Sequence, residues 1–216
     1  MSVSKEWKNL PEVQSIIDSV VPSKIGTCIW FTGLSGAGKS TIANGLMDWF
    51  RKYPKIGINP TLLDGDVIRT TFSKGLGFSK EDRDENINRV GYVANEIVKK
   101  NGVVICACIS PYSEIRNNIR RLCGSHHFIE VWVATPLAVC EQRDTKGLYK
   151  KARLGEIKDF TGIDAPYQNP DSPDVRLNAD IDNIENCVKS VLVAIESKYD
   201  IILTPNKDNV ITIKWL

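Results

Sequence analysis

The strongest chemical signal in the sequence is a glycine-rich run at residues 33–41, which reads GLSGAGKST. It matches the pattern GxxxxGK[ST], in which the glycines let the backbone turn tightly enough to point its N–H groups at phosphate oxygens. Lys39 is placed to reach the β and γ phosphates of a nucleotide, and Ser40 to ligate Mg²⁺. The run lies between an apolar stretch and a stretch with helical spacing, which is the context the motif requires. The sequence therefore predicts a site for a nucleoside triphosphate.

Two well-known uses of such a loop are not supported by the rest of the chain. A GTPase needs an Asn-Lys-x-Asp motif to recognise its base, and the nearest match, NKDN at residues 206–209, lacks the final acid. Motor and transport ATPases usually end a core strand with an acidic Mg²⁺ ligand, whereas the apolar run at residues 103–109 is followed by Ser110. An acidic group must therefore come from another strand.

That acidic group is supplied by Asp64 and Asp66, which follow the short apolar run at residues 61–63. They fall at the carboxyl edge of the predicted sheet, where ligands bind in open α/β folds. A carboxylate there can hold Mg²⁺ or take the proton of an attacking hydroxyl, as a kinase of small molecules requires. A second interpretation is that the two acids only cap a turn and the following helix.

The residues after these acids suit an anionic acceptor that carries a ring. Arg69 and Arg83 can hold a phosphate or sulfate group, Phe78 can stack on a base, and Asn86 adds an amide. Taken one at a time, each arginine also fits an ordinary solvated surface position.

The elements that must position these residues alternate along the chain. Short apolar runs typical of buried strands lie at residues 28–31, 61–63, 103–109 and 128–134, with a fifth candidate at 175–177. Helical spacing of apolar residues lies between them. The predicted fold class is α/β, a three-layer sandwich with a central parallel sheet of about five strands and helices on both faces.

We expect three parts along the chain: an N-terminal helical segment at 1–24, a kinase domain at 25–198, and a tail at 199–216 that could add a strand. Within the domain, residues 143–170 begin basic, continue rich in glycine and proline and show little apolar periodicity, which predicts a mobile lid.

Composition excludes several classes of protein. The chain has 216 residues and a net charge of +2, which suits one large domain and gives no reason to expect nucleic acid as a partner. Its apolar runs are far shorter than the roughly 20 residues of a membrane span, and its N-terminus lacks the apolar core of a signal peptide. We therefore predict a cytoplasmic protein with no membrane partner. The six cysteines show no metal spacing and are predicted to be reduced.

Longer motifs resemble one family. The chain reads GLSGAGKST, then DGDVIR from residue 64, LGFSKEDRDENINRVG from 76, ISPY from 109, CEQRDTKGLYKKAR from 140 and IKDFTGIDAPY from 157. These six ordered blocks, within roughly residues 25–195, closely resemble the adenylylsulfate kinases, P-loop enzymes that use ATP and Mg²⁺. That family phosphorylates the 3′ hydroxyl of adenosine 5′-phosphosulfate (APS) in sulfate assimilation, and its members are commonly homodimers.

The resemblance implies a role for each matching residue. Asp66 would be the base or the acid that organises Mg²⁺ together with Ser40, and Lys39 and Ser110 complete the catalytic set. Ser110 is expected to position the acceptor rather than to carry a phosphoryl group. The residues implied to hold ATP are Gly33, Ser35, Gly36, Ala37, Gly38, Lys39, Ser40, Thr41 and Arg143. Those implied to hold APS are Asp64, Asp66, Arg69, Phe78, Arg83, Asn86, Ile109, Ser110, Lys146, Asp159 and Phe160, with Phe78 and Phe160 as walls of a slot for adenine.

Three positions depart from the family pattern: Val67, where asparagine is frequent, Thr145, where proline is usual, and Gln168, where glutamate is common. None of them removes a proposed catalytic group, although Gln168 removes a charge near the end of the lid. Two alternatives stay open, a P-loop kinase for another small molecule and a catalytically silent nucleotide sensor. The intact Lys39, Ser40 and Asp66 argue against the sensor.

Overall fold

The computed structural model describes residues 5–203 and contains one sheet of five parallel strands. These are β1 (Thr27–Thr32), β2 (Thr61–Asp64), β3 (Val103–Ala107), β4 (Phe128–Val133) and β5 (Val175–Leu177). Their order across the sheet is β2-β3-β1-β4-β5, and every neighbouring pair is parallel. The predicted fold class is confirmed, because each of the five predicted apolar runs forms a strand of this sheet.

Within residues 5–203, eight α-helices connect or flank the strands. They are α1 (Pro11–Asp18), α2 (Lys39–Lys52), α3 (Gly65–Thr70), α4 (Lys80–Lys99), α5 (Ser113–Cys123), α6 (Leu137–Arg143), α7 (Leu148–Arg153) and α8 (Ile184–Tyr199). Among the described residues, none of these helices is both long and apolar enough to cross a bilayer.

Two apolar layers pack on the two faces of the sheet. Successive side chains of a strand point to opposite faces, so Ile29 and Phe31 of β1 join the core layer under α2 and α8. Cys28 and Trp30 join the other layer, under α1, α4 and α5. Because both faces are covered, β1 is buried along its whole length, and the apolar run in the sequence is continuous rather than alternating.

The N-terminal segment packs on the flank of α4, as its apolar stripe predicts. Val13 and Ile17 of α1 are buried in the core layer on that side, and Lys100 Nζ donates a hydrogen bond to the carbonyl of Ile17 at 2.9 Å. Trp7 lies edge-on to Tyr92 of α4, with 5.4 Å between the ring centroids. The proposed boundary at residue 24 stays a prediction.

The structure adds detail to one local prediction and corrects another. Residues 143–170 show little apolar periodicity in the sequence, yet they contain α7, which buries Tyr149 and Ala152 and leaves its lysines exposed. The sequence predicts Ile115, Ile119 and Leu122 on the apolar face of the helix after β3, but in α5 Leu122 is about half exposed and Cys123 is buried instead. Ile115, Ile119 and Cys123 follow a four-residue spacing, which keeps them on one helix face.

The remaining sequence predictions concern the cysteines and the tail. All six cysteines are buried with free thiols, as expected of small core residues. In the tail, Ile201 and Leu203 are buried, whereas residues 204–216, where an extra strand was suggested, lie outside the described residues.

Candidate active site

The phosphate-binding loop joins β1 to α2, and two glycines fix its path. A Cβ at Gly33 would lie 2.6 Å from the carbonyl oxygen of Val133, so no side chain fits there. Gly38 has a φ of +111° immediately before α2, a conformation that favours glycine. The first N–H groups of α2 have no partner within the helix, so they and the helix dipole favour an anion at this loop.

Lys39, the first residue of α2, is buried beneath the loop. Its Nζ donates hydrogen bonds to the carbonyls of Gly33 at 3.0 Å and Leu34 at 2.7 Å. Burial lowers the pKa of Lys39 to about 8. The ammonium group is therefore held within the loop by weak backbone acceptors that phosphate oxygens can replace.

Ser40 contacts an acid of β2, but not the one named for metal binding from the sequence. Its Oγ donates to Asp64 Oδ2 at 2.6 Å, and Asp64 Oδ1 accepts from the N–H of Asp66 at 2.9 Å. Asp64 thus caps α3, as the second interpretation expects, and its carboxylate also contacts Ser40 of the phosphate-binding loop, while a role at the metal or the acceptor stays a prediction. Asp66, in the first turn of α3, instead forms an ion pair with Lys146 of the lid.

Arg69 and Phe78 lie together on the acceptor side of the site. Arg69 Nη1 donates to the carbonyl of Gly77 at 2.9 Å, and its guanidinium carbon lies 4.6 Å from the centroid of the Phe78 ring. Phe78 is 61% exposed, which is unusual for a large apolar side chain and leaves one ring face open for stacking.

Arg83 and Asn86 are buried side chains of α4 that keep unused hydrogen-bonding capacity. Arg83 Nη1 donates to the carbonyl of Asp159 at 2.8 Å and to Thr161 Oγ1 at 3.0 Å, and Nη2 donates to the hydroxyl of Tyr112 at 3.3 Å. Within residues 5–203, Arg83 Nε and Asn86 Oδ1 are buried without a partner. Since unpaired buried polar atoms are costly, both atoms point to a polar ligand.

Ser110 follows β3 in a conformation that is rare for a residue other than glycine. Its φ is +40°, its side chain is fully buried, and its Oγ accepts a hydrogen bond from Trp30 Nε1 at 3.0 Å. The hydroxyl is thus already hydrogen-bonded to a core side chain, while Ser110 also lines the cavity of the site. This geometry favours the positioning role expected from the sequence.

The lid contacts the phosphate-binding loop directly. Arg143 Nη1 lies 3.4 Å from the carbonyl oxygen of Gly36, and the hydroxyl of Tyr149 donates to the carbonyl of Ser35 at 2.9 Å. Tyr149 also packs edge-on against Phe160, with 5.0 Å between the ring centroids. The lid therefore connects the phosphate-binding loop to Phe160, a residue predicted to contact the acceptor.

These groups line one cavity of about 890 Å³. The predicted residues on its wall are Ser35, Gly36, Gly38, Lys39, Ser40, Thr41, Asp66, Arg69, Phe78, Arg83, Asn86, Ile109, Ser110, Arg143, Lys146, Asp159 and Phe160. Three predicted residues lie behind the wall. Gly33 and Ala37 contribute backbone to the loop, and Asp64 lies behind Ser40.

Sequence reasoning gave no role to four residues that shape this site. Trp30 holds Ser110, Tyr149 joins lid and loop, and Tyr112 and Thr161 hold Arg83. Tyr112 and Tyr149 stand inside the motifs ISPY and KGLY, which is the one signal that marks them. Thr161 likewise stands inside the motif IKDFTGIDAPY, whereas Trp30 carries no such signal, because its partner Ser110 is distant in sequence.

Comparison with known proteins agrees with this geometry. The adenylylsulphate kinase family model matches residues 25–178. An adenylyl-sulfate kinase from Gloeothece citriformis is 53% identical over 169 residues, which cover 77% of this chain and 92% of that protein. The structure of the Mycobacterium tuberculosis APS kinase CysC in complex with AMPPNP and APS aligns with a TM-score of 0.74 and 44% identity, over 81% of this chain and 99% of that chain. A hexameric APS kinase from Thiobacillus denitrificans aligns with a TM-score of 0.61 and 34% identity, over 81% of this chain and 29% of that chain. The chain described here belongs to the adenylylsulphate kinase family.

Proposed function

We propose that this chain transfers the γ-phosphoryl group of ATP to the 3′ hydroxyl of APS and so makes 3′-phosphoadenosine 5′-phosphosulfate. One observation carries the proposal: a single cavity is lined by the phosphate-binding loop with Lys39 and by the acceptor-side Arg69, Phe78 and Arg83. Asp66 lines the same cavity. Donor and acceptor groups therefore share one enclosed space, as in-line transfer requires.

On the donor side, the loop would hold the phosphates of ATP through its backbone N–H groups and Lys39. The carbonyls of Gly33 and Leu34 now accept the hydrogen bonds of Lys39 Nζ. Phosphate oxygens are stronger acceptors, so ATP would draw the ammonium group away from these carbonyls. Arg143, already within 3.5 Å of the carbonyl of Ala37, would add a second positive charge at the loop.

The same loop suits a magnesium ion. Mg²⁺ prefers oxygen ligands, and the hydroxyl of Ser40 and the carboxylate of Asp64 supply two that are already in contact. Ser40 and Asp64 would hold the ion directly or through its water, and the metal role of Asp66 stays a prediction. When bound, the ion would neutralise charge on the β and γ phosphates.

On the acceptor side, Phe78 and Phe160 would hold the adenine ring of APS, since both line the cavity. Arg69, Arg83 and Asn86 would bind its ribose and phosphosulfate. The unpaired Arg83 Nε and Asn86 Oδ1 support this assignment, because polar groups of a bound acceptor would complete their hydrogen bonding.

Asp66 would accept the proton of the attacking 3′ hydroxyl. Its partner in this structure is Lys146, and both side chains are partly exposed in the cavity. Lys146 would hold the carboxylate as an anion and then counter the charge that develops during transfer. Ser110 would fix the shape of the acceptor loop, and closure of the lid would exclude water that competes as acceptor.

The test is a transfer assay with ATP, Mg²⁺ and APS, with adenosine monophosphate and gluconate as control acceptors. We expect the 3′-phosphorylated product from APS alone and its loss in Asp66→Asn. Phosphorylation of gluconate would instead identify a kinase for another small molecule. Tight binding of APS without any transfer would identify a nucleotide sensor.

Two further properties belong to this proposal. We propose a homodimer, which the resemblance to the family supports and which sedimentation equilibrium would test against a monomer or a larger assembly. The proposed location is the cytoplasm. Fluorescence microscopy of the tagged chain would test it.

A further inference from the structure

Arg116 of α5 is a charged side chain that is almost completely buried and lies behind the cavity rather than in its wall. It is 2% exposed, and each of its three guanidinium nitrogens has a partner. Nε donates to Glu130 Oε1 of β4 at 2.9 Å. Nη1 donates to the carbonyl of Ser110 at 2.8 Å, and Nη2 donates to the carbonyl of Gln168 at 2.7 Å. One side chain therefore ties together the sheet, the loop after β3 and the end of the lid.

The joint between the loop and the end of the lid has further bonds. The N–H of Gln168 donates to the carbonyl of Pro111 at 2.8 Å. Its side-chain Oε1 accepts hydrogen bonds from the N–H of Ser113 at 2.8 Å and from Ser113 Oγ at 2.9 Å. Gln168 thus caps the N-terminus of α5, the helix that carries Arg116. Beside it, the hydroxyl of Tyr167 lies 2.9 Å from Thr32 Oγ1, at the end of β1.

The loop needs such support because Ser110 has a φ of +40°. A residue other than glycine keeps this conformation only where its surroundings hold it. Trp30 binds the side chain of Ser110, and Arg116 binds its carbonyl. Thr32 Oγ1 also lies 3.4 Å from this carbonyl, so loss of the Arg116 hydrogen bond would leave only that longer contact and hold Ser110 less firmly at the cavity that Ile109 and Ser110 line.

We propose that Arg116 is a positioning residue for phosphoryl transfer, which holds Ser110 of the acceptor loop and Gln168 at the end of the lid in one fixed arrangement. It touches neither substrate nor reacting atoms. Its planar guanidinium can meet both carbonyls and Glu130 at once, whereas the single ammonium group of lysine cannot. The inference rests on the proposed function, because the acceptor that Ser110 helps to place is APS.

Arg120 offers a matched control on the same helix. Its Nη2 lies 3.3 Å from Glu130 Oε2 and 2.7 Å from Asp174 Oδ2, so it shares the carboxylate partner of Arg116. Within the part of the chain that the structure describes, its hydrogen bonds do not include Ser110 or Gln168. A comparison of variants at the two arginines therefore distinguishes the effect of the contacts with Ser110 and Gln168 from the effect of charge around Glu130.

The experiment compares Arg116→Lys with Arg120→Lys in the full chain. Each variant keeps its positive charge near Glu130. The measurements are kcat, KM for APS, KM for ATP, and ATP hydrolysis without an acceptor. For Arg116→Lys we expect KM for APS to rise about tenfold, which corresponds to the loss of one hydrogen bond to a charged group. We also expect the ratio of ATP hydrolysis to phosphoryl transfer to increase. KM for ATP should stay within about twofold, and Arg120→Lys should match the unsubstituted enzyme within the same factor.

A second variant covers the case in which Arg116→Lys does not fold. Gln168→Ala removes the exposed side chain that contacts Ser113 and leaves no buried charge unpaired. We expect KM for APS and ATP hydrolysis relative to transfer to rise in this variant, but by less than in Arg116→Lys. The proposal is overturned if the folded variants lose thermal stability but keep the KM for APS and the hydrolysis ratio of the unsubstituted enzyme. Failure of the proposed function itself would look different, since the unsubstituted enzyme would then transfer no phosphoryl group to APS.

Discussion

Lys146, from the segment predicted to be a lid, is ion-paired with Asp66 at the start of α3, so a cation of this segment contacts the acid that we propose as the base. Their side chains are 48% and 67% exposed, and an ion pair at this exposure contributes little to folding, about 1 kcal/mol or less. The contact of Lys146 with Asp66 is therefore better explained by a role in the reaction than by a contribution to folding stability.

We predict that Lys146→Met lowers kcat by about 100-fold, the size found when one preorganised charge-stabilising group is removed. The midpoint of thermal unfolding should change little, because the pair is largely solvated. Steady-state kinetics and thermal unfolding of the same preparation check both parts. Lys150→Met, which removes an exposed lysine of α7, is the control and should leave kcat unchanged. An equal loss of activity in both variants would mean that only the net charge of the lid matters.

The buried Lys39 gives a pH-dependent prediction. Burial lowers its pKa to about 8 in the enzyme without nucleotide, and phosphate oxygens of ATP should raise it again. The charged form of Lys39 predominates below pH 8 and is lost as the pH rises through 8, so ATP must restore that proton when it binds at higher pH. Affinity should therefore fall above pH 8, with uptake of nearly one proton at pH 9.

Calorimetric titration with ATP in two buffers of different ionisation enthalpy measures this uptake. The guanidinium of Lys39→Arg stays charged throughout this range, so its uptake at pH 9 should be zero. If proton uptake on ATP binding is equal in Lys39→Arg and in the unsubstituted enzyme, a group other than Lys39 takes up the proton.

The arrangement of the sheet and the loop could be predicted from the sequence because both are encoded locally. The strand β1 is a continuous apolar run, and the nine residues that follow carry the complete phosphate-binding motif. Asp66 could be assigned to the site because parallel strands present their carboxyl ends at one edge, whereas the assignment of Arg83 of α4 depends on its position after the acids and on the resemblance to the family.

Contacts between segments distant in sequence could not be predicted in this way. Trp30 reads as an ordinary core residue, and only the fold brings its N–H to Ser110. Arg116 reads as a polar residue of an amphipathic helix, and its burial follows from the approach of Glu130 and Gln168. The pairing of Ser40 with Asp64 rather than Asp66 depends on side-chain direction at the end of β2, which spacing alone does not determine.

Because Ser110 contacts Trp30, substitution of Ser110 can distinguish a positioning role of this serine from a role as a phosphoserine intermediate. In Ser110→Ala, the buried indole N–H loses its acceptor, so the free energy of unfolding should fall by about 1–3 kcal/mol. Turnover should stay within about tenfold, because in-line transfer needs no phosphoserine. In the double variant Trp30→Phe with Ser110→Ala both polar partners are removed, so the loss of stability should be smaller than the sum of the losses in the two single variants. Chemical denaturation and single-turnover kinetics check these outcomes, and complete loss of transfer in folded Ser110→Ala would instead support a covalent intermediate.

The exposed ring of Phe78 should matter for the acceptor and little for folding. Its side chain is 61% exposed, so Phe78→Ala should change the free energy of unfolding by less than about 1 kcal/mol. Stacking on a base is worth roughly 1–3 kcal/mol, which corresponds to a rise in KM for APS of about 5- to 150-fold, with KM for ATP unchanged. Val67→Ala is the matched control, because Val67 is 60% exposed on α3 and is not among the residues that line the cavity in the described part of the chain. Steady-state kinetics with each substrate varied in turn tests the assignment. A parallel rise in KM for ATP would show that Phe78 shapes the whole cavity rather than the acceptor slot.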